Sequence, residues 1–247
     1  MSQLEPTIKL IDVSPDLVVY RRFKYRYLKK YISERKMEFT KVASWEVTDS
    51  FENLFNRLSL RSKDNSIVLA VSDACDTLYG QSWTVDSERV GQWEHFSRKG
   101  SSLGDTLVMV KTTVKDLRKL IDDSISYKGY RCTFNDRVIG KVCYKTEDEI
   151  VNWLTSLSVF PIEQVQDLSI CYALMKRQSN SSGTDYTIED EVRCLAWGFE
   201  KNSKVIRFDF DPRIFTKYVI DPHASDSDRE SIKTELISLG LCPTLIQ

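Results

Sequence analysis

Residues 17–41 read LVVYRRFKYRYLKKYISERKMEFTK, and this stretch sets the fold class. Leu17-Val18-Val19-Tyr20 is short, apolar and β-branched, which predicts a strand ending where the basic segment begins. A helix is predicted from Arg22 to Lys36. Phe23, Tyr27, Leu28, Tyr31 and Ile32 share one of its faces, and Arg22, Arg26, Lys29, Ser33 and Lys36 gather on another. Met37 to Lys41 reads as a second strand, after which Phe51, Leu54, Phe55 and Leu58 recur at helical spacing behind the capping residues Asp49-Ser50. The chain therefore opens as strand, helix, strand, helix.

Further along, Ser66–Ser72 encloses a continuous apolar strand, Leu78–Thr84 predicts another, and Asp86-Ser87 caps a helix through Val90 and Trp93 that ends near Gly100. Thr106–Thr112 returns as a strand, and Thr113 to Asp116 carries the start signal of a helix through Leu117 and Leu120. Two runs around Asn135-Asp136, residues 130–134 and 138–144, predict a hairpin. Helical periodicity marks 147–157 and 162–176, with Pro161 placed to start the second. Residues 191–199 and 205–210 predict another hairpin, 215–220 a strand and 227–239 a last helix. Helices and strands mix without strict βαβ alternation. The expectation is one α+β domain with antiparallel hairpins and surrounding helices over 1–247, with 1–16 set apart as a flexible extension.

Composition narrows the class without naming a function. The chain has 247 residues, 35 Lys plus Arg against 36 Asp plus Glu, and 41% hydrophobic residues, so a globally basic nucleic-acid coat, a low-complexity chain and a disordered chain are all excluded. The longest apolar runs are far below the roughly 18 residues of a membrane-spanning helix, and the N-terminus has neither a basic start nor an apolar core. A cytoplasmic protein without a membrane partner is expected. Six scattered cysteines with no C-x-x-C spacing argue against a zinc or redox site, and no metal is expected; a free Cys ordinarily behaves as a small buried hydrophobe. His95 and His223 have no placed Ser or Cys with an orienting carboxylate.

Three clusters carry candidate chemistry. Residues 20–36 hold eight basic side chains against Glu34, interleaved with Tyr20, Phe23, Tyr25, Tyr27 and Tyr31. Such a segment neutralises phosphates and stacks bases, with Arg22, Arg26, Lys29 and Lys36 as the nucleic-acid contacts; the competing reading is a solvated helix face. Arg21, at a strand end, can grip a phosphate through two bonds. Glu189-Asp190-Glu191 is the second cluster, whose outer carboxylates point the same way if the segment is extended. One can favour an oxocarbenium ion while the other takes a proton from a nucleophile. Glu191 beside Arg193 also reads as a cross-strand ion pair. The third cluster is Tyr79-Gly80-Gln81-Ser82-Trp83, where Ser82 could bond a ribose or amide and Trp83 or Trp45 could wall a nicotinamide pocket, though most such tryptophans are core. Ser179-Asn180-Ser181-Ser182-Gly183 reads as a flexible loop leading into the acidic cluster.

The order of these motifs resembles the bacterial domain-of-unknown-function 2971 (DUF2971) family. The resemblance is carried by Tyr20-Arg21, Trp45 to Asp49 with Glu52, Gln81-Ser82-Trp83 with Glu88 and Trp93, Gly140-Lys141-Val142-Cys143-Tyr144, Lys176, Glu189 to Arg193 and Val219-Ile220-Asp221-Pro222. Where many members show Asn-Asp-Pro, this chain has Thr48-Asp49-Ser50. An early strand-borne arginine, a middle serine-bearing strand and a late Glu-x-Glu also follow the chain order of ADP-ribosyltransferase-like proteins. That analogy implies NAD held by Arg21 and Tyr20, a nicotinamide pocket at Ser82, Trp83 and Trp45, catalysis by Glu191 and Glu189, and a macromolecular acceptor, protein or nucleic acid, met by residues 178–188. The rival reading is a non-catalytic nucleic-acid-binding module acting in phage defence.

Overall fold

The computed structural model describes residues 7–47, 59–61, 66, 68–70, 76–85, 102–122, 125–127, 130–132, 136–157, 165–197 and 203–247. The helix expected behind Asp49-Ser50, the one capped at Asp86-Ser87, His95, Glu88 and Trp93 lie outside them. The chain is a mixed α+β fold with a mixed sheet, and it divides into two compact units. One comprises Met1–Val13, Phe39–Ser82 and Ser126–Ile206; the other comprises Ser14–Glu38, Trp83–Ile125 and Arg207–Gln247.

The strands of the described residues are β1 (Thr7–Ile11), β2 (Val18–Lys24), β3 (Lys36–Lys41), β4 (Ser59–Arg61), β5 (Val68–Ala70), β6 (Leu78–Thr84) and β7 (Leu107–Thr113). They continue with β8 (Ile125–Tyr127), β9 (Tyr130–Cys132), β10 (Asp136–Lys141), β11 (Cys143–Lys145), β12 (Met175–Arg177), β13 (Glu191–Trp197), β14 (Val205–Asp209) and β15 (Lys217–Ile220). The helices are α1 (Tyr25–Glu34), α2 (Val114–Asp122), α3 (Glu147–Ser156), α4 (Val165–Ala173) and α5 (Asp226–Ser238).

In the first unit the strand order is β1-β10-β13-β6, with β1 parallel to β10 and β13 antiparallel to it. Thr7–Ile11 is therefore a paired strand, not part of a loose extension. Val42, Leu78, Val138, Ile170, Ala173, Leu174 and Leu195 form its core, with Ile11, Trp45 and Trp197 packed against them. Helix α3 starts on a capping box, in which Thr146 and Glu149 satisfy each other's backbone N–H. Among the described residues neither expected hairpin forms: β10 pairs with β1 and β13 while β9 pairs with β8, and β13 pairs with β10 and β6 while β14 pairs with β3. Alternating apolar residues specify that a strand forms, but any strand with a matching face can be its partner.

In the second unit β7 lies between β2 and β15, antiparallel to both, with Tyr20 on β2 also opposite Thr84. Here β2 runs to Lys24, so Arg22 and Phe23 are strand residues and α1 begins only at Tyr25. This shift resets the phase of the helix. Tyr25, Leu28, Tyr31 and Ile32 are buried and Tyr27 is exposed, whereas a helix started at Arg22 would have turned Tyr27 inward. Phe23, Trp83, Phe210, Phe215, Tyr31 and Tyr218 make an aromatic core with ring centroids 5.2–6.5 Å apart, each such pair worth about 0.5–1.5 kcal/mol beyond its buried area.

Gly80 marks a close approach in the first unit. A Cβ there would stand 2.6 Å from Leu195 Cδ2, 3.0 Å from the Cys194 carbonyl oxygen and 3.1 Å from Trp45 Cη2. Gly80→Ala should lower the free energy of unfolding by about 1–3 kcal/mol. Urea denaturation checks this; an unchanged midpoint would mean that Leu195 and Trp45 yield freely.

Candidate functional site

The first unit gathers the late acidic cluster around one buried ion pair. Glu191 and Arg193 are two residues apart on β13, so their side chains leave the same face, and both are almost fully buried. Arg193 Nε donates to Glu191 Oε1 and Nη2 to Oε2, each at 3.0 Å, a fork-to-fork pair; Nη1 donates to the Ala173 carbonyl at 2.5 Å. Ser82 Oγ donates to Glu191 Oε1. Lys176 Nζ stands 3.9 Å from Glu191 Oε2 and 2.7 Å from Glu189 Oε2. The backbone N–H of Glu191 donates to Tyr144 Oη at 3.0 Å. Burial pulls the Glu191 carboxyl upward, but the charges of Arg193 and Lys176 and the hydrogen bonds from Arg193 and Ser82 together outweigh it and hold the group below its ordinary range. It is an ionised carboxylate in a buried setting.

Glu189 and Glu191 do not share a strand. Glu189 ends a short 3₁₀ turn (Tyr186–Glu189), and Asp190 between the two is left-handed at φ 41°. The shared Lys176 ammonium is what joins them. Glu191 is walled off by its partners, with 6% of its side chain exposed, whereas Glu189 keeps 33% exposed. The carboxylate open to a ligand is therefore Glu189, and direct contact between Glu191 and a substrate is not available in this arrangement. The segment before it is better ordered than its composition implies. Asn180 Oδ1 accepts from the backbone N–H of Ser182 and Thr184, Gly183 takes φ +82°, and Ser179 bridges to Asp185.

Ser82 joins the cluster, but the expected aromatic walls are otherwise engaged. Trp83 is a core residue, 2% exposed, packed on Phe23 and Phe215. Successive strand residues alternate, so Ser82 and Trp83 cannot face one ligand. Trp45 donates through Nε1 to Thr40 Oγ1 at 3.0 Å, and its ring is covered by the Arg193 guanidinium at 5.0 Å. In the second unit, Arg21 lies over the rings of Phe23 at 5.1 Å and Trp83 at 6.0 Å. Tyr20 packs instead with Leu107, Met109 and Val219. Tyr20 and Arg21 are adjacent on β2 and leave opposite faces, so they do not grip one phosphate as a pair.

The basic helix meets acids brought from elsewhere in its own unit. Lys24 and Arg26 pair with Asp105, Lys29 with Glu235, Lys30 with Glu38, Arg35 with Asp211 and Lys36 with Asp209. Hydrogen bonds from Lys29 and Tyr25 hold Glu235 below the ordinary carboxylate range. Of the four proposed nucleic-acid contacts only Arg26 and Lys29 lie on α1; Arg22 is on β2 and Lys36 begins β3. The cationic surplus read along the chain is thus largely offset in space. Sequence reasoning gives Lys176 and Tyr144 no chemical role and Arg193 only that of an ion-pair partner to Glu191, a pairing found here within one strand; a helix expected through Lys176 hid that it sits on β12, opposite Tyr144 on β11.

The described cysteines depart from expectation: Cys194 is buried, but Cys143, Cys171 and Cys242 are exposed. Among the described residues no group of three or more His, Cys, Asp or Glu is arranged to hold a metal ion, and no helix is long and apolar enough to cross a membrane.

Because the carboxyl of Glu191 is depressed in the fold, its contribution to stability is complete above the ordinary glutamate range and is lost as pH falls through its folded value. Glu191→Gln strands Arg193 and should cost about 3–5 kcal/mol near neutral pH. The gap to wild type should narrow as acid protonates Glu191 itself. Thermal unfolding of both proteins from neutral pH to pH about 3 checks this, with a constant gap as the contrary result.

The solved structure of Thermus sp. 2.9 DarT in complex with ADP-ribosylated ssDNA is similar to this chain at a TM-score of 0.37 and 8% identity, over 91% of this chain and 89% of that chain. No family model matches the chain, and no curated protein matches it. The resemblance to the domain-of-unknown-function 2971 family stays an expectation.

Proposed function

We propose that the protein transfers ADP-ribose from NAD to a macromolecular acceptor, on an ADP-ribosyltransferase-like plan. The observation that carries this reading is the joining of the middle-strand Ser82 to the late Glu191, with Glu189 on the same ammonium. These are the residues, in the chain order, that such chemistry uses. Their roles are divided by burial. Glu191 is the fixed negative charge of the site, and Glu189 is the carboxylate that reaches the reacting groups. In the transfer, the bond from ribose C1′ to the nicotinamide nitrogen breaks and nicotinamide leaves with that electron pair. The acceptor nucleophile supplies the pair for the new bond to C1′ and passes its proton to Glu189. The partly exposed Glu189 carboxylate is the negative charge within reach of the cationic sugar that forms in between.

Binding through the basic segment 22–36 is the weaker reading, because side chains of the helix and its flanks already face Asp105, Glu235, Glu38, Asp211 and Asp209. A phosphate backbone would have to displace these acids.

Thermal unfolding with millimolar NAD should show added stability, about 2.7 kcal/mol at one hundred times the dissociation constant. Transfer of label from adenylate-labelled NAD to lysate protein or single-stranded DNA should fall on the order of 10²-fold in Glu189→Gln, while the NAD-induced shift is kept. Absence of both shift and transfer in the wild-type protein would end the proposal.

A further inference from the structure

We infer that Lys176 is a positioning residue: its ammonium, and not the pleat of a shared strand, sets the Glu189 carboxylate beside Glu191. Its catalytic consequence rests on the transfer reading above; its structural content does not. In an extended Glu-x-Glu the outer side chains align because the strand period is two. That alignment is lost here, since Asp190 is left-handed at φ 41° and ψ 56° between the 3₁₀ turn and β13. A non-glycine residue is disfavoured in this region and persists where its surroundings hold it.

Lys176 supplies a hold on each side of that kink. Its ammonium meets Glu189 at 2.7 Å, approaches Glu191 to 3.9 Å and lies 4.7 Å from the centre of the Tyr186 ring, so it touches the beginning and the end of the 3₁₀ turn as well as the first residue of β13. A lysine suits this place, because a compact ammonium with three donors can serve two carboxylates and a ring face at once, where a planar guanidinium would be committed to one. Its side chain is only 11% exposed and comes from β12, itself paired in register with β11. The point of attachment is therefore rigid. Between two carboxylates that would otherwise repel, the positive charge offsets the repulsion.

The experiment is amide hydrogen exchange over residues 186–190 in the full chain, for wild type, Lys176→Met, Glu189→Gln and the double variant. Each single change should reduce protection roughly tenfold, and the double change should reduce it no further, because both remove one bridge. Unchanged protection in Lys176→Met, or losses that add in the double variant, would overturn the inference. Should Lys176→Met fail to fold, Glu189→Gln reads the same bridge from its other end, and full protection there also overturns it. If the wild-type protein turns over NAD, Lys176→Met should lower kcat and leave KM for NAD in place. A wild-type protein with no turnover removes the transfer reading, and the exchange cycle still decides the role of Lys176.

Discussion

The paired charges of Glu191 and Arg193 are the constraint around which the first unit is arranged. Neither ion could be buried alone, since an uncompensated charge in a dry interior costs several kcal/mol. Sitting two residues apart on one strand, they meet as a fork and a carboxylate without any long-range luck. What remains of their hydrogen-bonding capacity must then be met by other elements. The Ala173 carbonyl at the end of α4, Ser82 on β6, Lys176 on β12 and the Trp45 ring each come to the pair from a different part of the chain. A network of this kind selects one packing, because removing any member exposes the others to an unpaid desolvation cost.

This requirement also explains the division between the two acids. A carboxylate that accepts from Arg193 and Ser82 and lies near Lys176 is saturated and immobile, which suits a fixed charge and forbids contact with a ligand. Glu189, one left-handed residue earlier, has its carboxylate partly in solvent at the end of a turn that the ordered 178–185 segment leads into. Rigid anion and accessible anion are thus adjacent, and their environments give them different chemistry.

The second unit shows the opposite use of charge. Its cations are mostly half-exposed and meet acids contributed by distant segments, so each pair adds little stability on its own. Their joint effect is electrostatic: a helix that reads as strongly basic along the chain is surrounded by compensating carboxylates once the chain is folded. Beneath it, Tyr25, Leu28, Tyr31 and Ile32 provide the apolar contact that fixes the helix in place.

By itself the sequence determined most of what depends on neighbours along the chain. The strands at 78–84 and 107–113, the helix start at Thr113, the capping of 147–156 and the last helix follow from local periodicity and end signals. Ser82, Glu189 and Glu191 were legible as chemistry-bearing types. Tertiary structure alone decided the rest. It chose β1 and β13 as partners for β10, placed Trp83 in the core, turned Tyr27 outward by starting α1 at Tyr25, and made Lys176 a strand residue between two acids. The reason is physical: period and capping are set by a few adjacent residues, whereas strand pairing, burial and charge compensation are set by whichever distant groups arrive in space.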